Sequence, residues 1–142
     1  MVINLDEIYE GAIVGEAILE GKKAEEKVIG DGYPILNFTY VVVDSMPQGP
    51  NEISVNGEYI FHTIFLPLDT DEPDRKMMKL KGLKRMMSAH GIDSDGAVDT
   101  TEIVEWFNSN RPTVGATLEV DDYQLKKTGE EKTRIKKFYQ PA

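Results

Sequence analysis

Hydrophobic and polar positions alternate most clearly between Tyr33 and Asp44. Leu36, Phe38, Tyr40 and Val42 fall on one face there, and Asn37 and Thr39 fall on the other. A period of two is the signature of a strand with one buried face. Ala12–Glu20 predicts a strand before it. Tyr59–Leu66 predicts one after it, with Tyr59, Phe61, Thr63 and Phe65 opposite Ile60, His62, Ile64 and Leu66. Between the first two strands, Gly21–Gly32 is charged and glycine-bounded, as in a hairpin connection. Ser45–Glu58, with its prolines, glycines and Asn-Gly pair, predicts a loop.

The period changes at Pro73. Met77, Leu80, Leu83 and Met87 recur at helical spacing, which predicts one long helix from Pro73 to Gly91 with that stripe on the core. Pro73 suits a first helical position and Gly91 a stop. Asp99 and Glu102 stand at capping-box spacing ahead of Ile103, Trp106 and Phe107, so a short second helix is expected over Asp99–Asn110. Thr117–Leu125 and Glu131–Tyr139 flank a turn at Lys126–Glu130 and predict a terminal hairpin. Met1–Gly11 reads as an acidic lead-in with a turn around Leu5 and Ile8. The expected fold is mainly β. Three strands, a helix and two strands match the layout of a five-stranded oligonucleotide-binding (OB) barrel, with a short second helix, in a single domain over residues 1–142.

Composition removes several function classes. The chain has no cysteine, so disulfides, thiolate metal sites and a cysteine nucleophile are excluded. Met1–Gly11 lacks the basic and apolar regions of a signal peptide, and no window approaches the roughly 18 apolar residues of a membrane span. A cytoplasmic protein without a membrane partner is expected. His62 and His90 are the only histidines and have no metal-ligand spacing. Asp93–Asp99 resembles a calcium loop, but its glycine and its twelfth residue, Val104, are wrong for one. No carboxylate sits with a histidine or lysine in a general acid–base arrangement. The sequence therefore predicts no enzyme, no catalytic residue, no metal and no cofactor.

Charge changes the picture more than composition does. The net charge is −9, yet residues 75–90 carry +6 and residues 123–142 carry +4, so 12 of the 16 basic residues lie in two short segments. Such patches bind polyanions even on an acidic protein. Their bland reading is a set of solvated faces that balance acidic neighbours.

GLKRMMSAHGI (82–92) after an aromatic strand, then VGATLEVDDYQLKKTGEEKTRIKKFYQPA (114–142), resembles the small single-stranded-DNA-binding proteins of tailed bacteriophages. In that family an "LKRLxxAxGI" helix precedes a "G-A-x-L-x-V" strand, and an "R-I-K-x-F" strand closes the final hairpin. The likeness covers roughly residues 59–140, and residues 12–44 as a strand pattern. It implies an OB fold and sequence-tolerant binding of single-stranded DNA in phage replication or recombination. Replication or recombination proteins would be partners, within the cytoplasm of an infected bacterium. The ending KKFYQPA departs from the acidic tail common in that family.

Such binding needs cations along the phosphate path and π faces for bases to stack on. The aromatic and polar candidates are Tyr33, Asn37, Thr39, Tyr40, Tyr59, Phe61 and Tyr139, with His62 and Thr63 also suited to a wet groove. Lys22, Lys23, Lys27, Lys126, Lys127, Lys132, Arg134 and Lys136 are the basic candidates. Unbroken alternation would put Lys132, Arg134 and Lys136 on one face of the last strand, which makes the terminal hairpin the expected main electrostatic contact. Phe38, Phe65 and Phe138 are assigned to core. The alternative function is an acidic OB-type protein-interaction module that uses Met77, Met78, Met86 and Met87 as an adaptable surface.

Overall fold

A computed structural model describes residues 1–141. It contains five antiparallel strands and three α-helices. In chain order these are β1 (Gly15–Ile29), β2 (Tyr33–Ser45), β3 (Tyr59–Phe65), α1 (Pro73–Ala89), α2 (Thr100–Asn110), β4 (Thr113–Val120), α3 (Asp122–Thr128) and β5 (Thr133–Tyr139), after a 3-10 turn at Leu5–Glu7. The strands form one open sheet in the order β3-β2-β1-β4-β5, so β3 and β5 are its two edges.

β1 runs nine residues past the predicted strand end at Glu20, and the expected connection over Gly21–Gly32 shrinks to a turn at its tip. Ala24 is buried while Lys23 and Lys27 are exposed, so the charged run still alternates as a strand. The chain reverses at Gly30 and Gly32, both in the left-handed region that glycine adopts without strain. β4 pairs with β1 only from Gly15 to Glu20, which leaves the far part of that β1 edge without a strand. Two side-chain bonds cover the gap. The Ala24 N–H donates to Asn108 Oδ1 at 2.7 Å, and Asn108 Nδ2 donates back to the Ala24 carbonyl at 3.0 Å. Phe107, one residue earlier on α2, lies so close over Gly21 that a Cβ there would overlap its ring. The aromatic clamp fixes α2 against β1.

α1 begins at Pro73 as predicted and is followed by Gly91 at φ 78°. Its buried stripe differs from expectation. Leu83, Met86 and Met87 enter the core, whereas Met77 and Leu80 are exposed, because only the C-terminal half of the helix packs on the sheet. The N-terminal half is tethered instead by Lys79 Nζ, 2.8 Å from Asp71 Oδ2, while the same carboxylate oxygen accepts the Leu68 N–H. α2 starts where its cap predicted, with the Thr101 N–H donating to Asp99 Oδ1 at 2.9 Å.

The terminal hairpin needs correction. β4 starts at Thr113, ahead of the predicted Thr117, and Tyr123–Leu125 is helical rather than extended. Asp121 accepts the Gln124 N–H as an N-cap and Gly129 takes the left-handed stop, two signals that outweigh the short alternation of TLEVDDYQL. On β5 the alternation is broken. Lys137 pairs with Thr117 and Ile135 with Leu118, so Lys136 is the extra residue of a bulge.

The core gathers Leu19, Leu36, Phe38, Tyr40, Val42, Ile60, Phe107, Val114 and Leu118 on the inner face of the sheet. The strand edges do not pair, but the inner face curls enough for the His62 ring on β3 to meet the Phe138 ring on β5 at 5.1 Å, edge to face. α1 touches both edge strands. Its last turn brings His90 into the seam, where Nδ1 lies 2.6 Å from the Met86 carbonyl and Nε2 lies 2.8 Å from the Tyr40 hydroxyl.

Candidate nucleic-acid interface

The outer face of β1–β3 follows from strand register, since residues directly opposite across an antiparallel pair share a face. Tyr59 lies beside Val41, Phe61 beside Thr39, Thr63 beside Asn37 and Phe65 beside Ile35. One strand further, Thr39 lies beside Lys23, Asn37 beside Glu25 and Ile35 beside Lys27. The face is therefore a grid of three strands, with aromatic side chains on its edge, Thr39 and Asn37 between Val41 and the buried Ile35 along its middle, and Lys23 and Lys27 alternating with Glu20 and Glu25 on its far side.

The edge aromatics are open to solvent, at 59% exposure for Tyr59, 68% for Phe61 and 47% for Phe65. Large apolar rings left exposed in a row invite a partner. Phe65, expected in the core, is on the surface instead. The alternation of β3 puts it on the same face as Tyr59 and Phe61. Along a strand, neighbours on one face stand about 6.7 Å apart. That is about twice the 3.4 Å per-strand rise of a duplex, so Tyr59 and Phe61 suit bases drawn apart rather than stacked. Asn37 accepts from the Thr63 hydroxyl at 2.8 Å, which leaves the Asn37 amide N–H groups free to donate outward. Tyr33 is exposed beside Ile29 at the ribbon tip.

Electrostatics on this face leave positive charge in excess around one carboxylate. Glu25 lies 2.9 Å from Lys27 and 3.7 Å from Lys23, and the Lys27 hydrogen bond is the main reason its carboxyl is held below the usual range. Two cations thus share one anion. Lys22, the extra residue between Gly21 and Lys23 in the register, is exposed beside them. Glu20 faces Val41 in the Tyr59 row and adds a second carboxylate to this face.

Other predicted residues lie elsewhere. Tyr40 is fully buried, on the inner face with His90, and burial raises its hydroxyl well above the ordinary value. It cannot meet a ligand. His62 also faces inward, where burial first and the neighbouring His90 second depress its pKa to about 4. Tyr139 lies across Gly115 on β4 and is the main cause of the lowered Glu16 carboxyl, with Thr117 second. Lys126 and Lys127 belong to the last turn of α3, where Lys127 Nζ sits 5.6 Å from the Tyr123 ring centre.

Three cations on or beside β5 are matched by acids. Arg134 bonds Glu119 across the strand pair, Lys132 lies 3.7 Å from Glu130, and Lys137 lies near Glu16. Lys136, on the bulge, lines a crevice of about 650 Å³ with Arg85, His62 and Phe138, beside the seam. Among the described residues no three metal-ligating side chains converge, and Asp93 and Asp99 instead bond backbone N–H groups as turn and cap residues. No helix is long and apolar enough to cross a membrane among those residues. No protein-family model matches the chain, and no curated protein matches it.

Proposed function

We propose that the protein binds single-stranded DNA without sequence preference, through the outer face of β1–β3. The observation that carries this reading is the exposed row Tyr59, Phe61 and Phe65 beside Thr39, Asn37 and the Lys23–Lys27 pair. Stacking on such rings is worth roughly 1–3 kcal/mol per base and tolerates any base, because every base has a π face. In this reading the open sheet is an OB-type barrel whose last seam, between β3 and β5, is bridged by side chains and α1 rather than by hydrogen bonds. The role is non-catalytic. Service in phage replication or recombination, inside an infected bacterium, is the setting that the sequence resemblance implies.

The test is fluorescence anisotropy of labelled oligo-dT, titrated across a salt series beside a duplex of equal length. Preference for the single strand is expected, with a log–log salt slope of about −0.7 for each phosphate neutralised. Equal affinity for duplex, or no binding at low salt, would overturn the reading.

A further inference from the structure

Two exposed apolar surfaces lie outside the sheet face, and their charges are opposite. The first is the solvent side of α1. At 100° per residue, Met77, Met78, Lys81, Lys84 and Arg85 fall on the side facing away from the buried Leu83 and Met86. Met78 is 73% exposed. Lys81, Lys84 and Arg85 make no ion pair among the described residues, whereas the half-buried Lys76 and Lys79, on the same side of the helix as Leu83 and Met86, pair with Asp69 and Asp71. The second surface is the segment Met1–Ile8, in which every residue is exposed. It presents Ile3, Leu5 and Ile8 together with Asp6 and Glu7.

The two surfaces belong to separate parts of the fold. Gln48 anchors the chain just after Met1–Ile8 to the loop beyond β2, accepting the Val14 N–H at 3.0 Å and donating to the Val14 carbonyl at 3.1 Å. α1 leaves from the other end, after Phe65, whose partner Ile35 lies near the start of β2. Ile35 and Ser45 are about 33 Å apart along an extended strand. Within one molecule no hydrogen bond or ion pair joins Met1–Ile8 to α1 among the described residues, which leaves both surfaces open to a second copy.

We infer that the chain self-associates head to tail, the acidic apolar segment Met1–Ile8 of one copy docking on the Met77–Met78–Lys81–Lys84 face of α1 in the next. Apolar contact supplies attraction, methionine adapts to the docked side chains, and Asp6 and Glu7 against Lys81 and Lys84 set the polarity. The contact joins unlike surfaces, so it propagates into chains or rings rather than stopping at a two-fold dimer. It leaves the β1–β3 face uncovered and stands independently of the DNA reading.

Sedimentation of the full chain without nucleic acid, at low salt and over a range of micromolar concentrations, tests this. The native protein should exceed its 16.0 kDa monomer mass as concentration rises, and added salt should dissociate it. Asp6→Lys/Glu7→Lys and Lys81→Glu/Lys84→Glu should each weaken association at least about tenfold. An equimolar mixture of the two reversed proteins should restore it, because each reversed surface then meets its complement. All four positions are exposed, and circular dichroism checks that both variants fold. A native chain that stays monomeric, a variant that associates normally, or a mixture that stays apart would each overturn the proposal. If the helix variant keeps its mass but flattens the salt slope of oligo-dT binding, α1 is a phosphate track and the proposal also falls.

Discussion

The two halves of the sheet's outer surface carry similar numbers of basic residues and differ in what surrounds them. On β1–β3, Lys23 and Lys27 share Glu25, and the neighbouring strand edge exposes Tyr59, Phe61 and Phe65. On β4–β5, Arg134 is held by Glu119, Lys132 by Glu130, and the aromatic Tyr139 is spent on covering Gly115. Cations already matched within the fold release fewer counterions when a polyanion arrives. Charge counted along a sequence is therefore a poor guide to charge available on a surface. The terminal hairpin has the denser run of lysines, and the β1–β3 face has the exposed aromatic rings.

The largest effect should separate two tyrosines of like appearance in the sequence. Tyr40→Ala opens a cavity beside Phe107 and His90 and should cost about 3–5 kcal/mol of stability by denaturant unfolding. Tyr59→Ala should leave the unfolding midpoint nearly unchanged. Next comes binding. Phe61→Ala and Phe65→Ala should each weaken oligo-dT binding by roughly 1–3 kcal/mol at constant stability, which would confirm Phe65 as surface chemistry rather than core.

Acid stability is expected to follow the inner face. His62 titrates near 4 in the folded chain, below the ordinary histidine value of 6.5, and burial lowers His90 as well. The unfolded chain therefore binds more protons between those values. The stabilisation is fully present above about pH 6.5 and is lost as pH falls toward 4. His62 keeps some solvent contact, so the loss should be on the order of 1–3 kcal/mol. A His62→Gln variant should show a flatter stability curve across that window, while its oligo-dT affinity at neutral pH should match the native chain.

The smallest difference concerns salt. Replacing Lys23 and Lys27 by Gln should make the oligo-dT salt slope shallower by about 0.7 to 1.4, one to two phosphates' worth on a single strand, since the two share Glu25. The triple change of Lys132, Arg134 and Lys136 to Gln should move it by less than about 0.7. A reversal of that order would return the electrostatic contact to the terminal hairpin.

Much of this arrangement was legible in the residues. Alternation over Tyr33–Asp44 and Tyr59–Leu66 identified β2, β3 and their inner faces, and Asp99 and Pro73 identified two helix starts. Three features were hidden because they depend on pairing or on distant neighbours. The β1 extension carries charge on a ribbon whose second edge is completed by Asn108 and not by a strand. α3 depends on the Asp121 cap and Gly129 stop within a run that also alternates. The bulge at Lys136 is a matter of register with Thr117, which no local pattern records. Of the candidate site, the aromatic row was readable from period two alone. The matching of Arg134 with Glu119, 15 residues earlier, needed the folded sheet.

Mapping of backbone amide shifts by NMR, as unlabelled oligo-dT is added to the isotope-labelled chain, tests the central claim most directly. The account predicts that the largest perturbations gather on Lys23, Asn37, Thr39, Tyr59, Phe61, Thr63 and Phe65, with those of Lys132–Lys136 and α1 small. Perturbations concentrated on β5, α3 or α1, with the β1–β3 face unmoved, would contradict it.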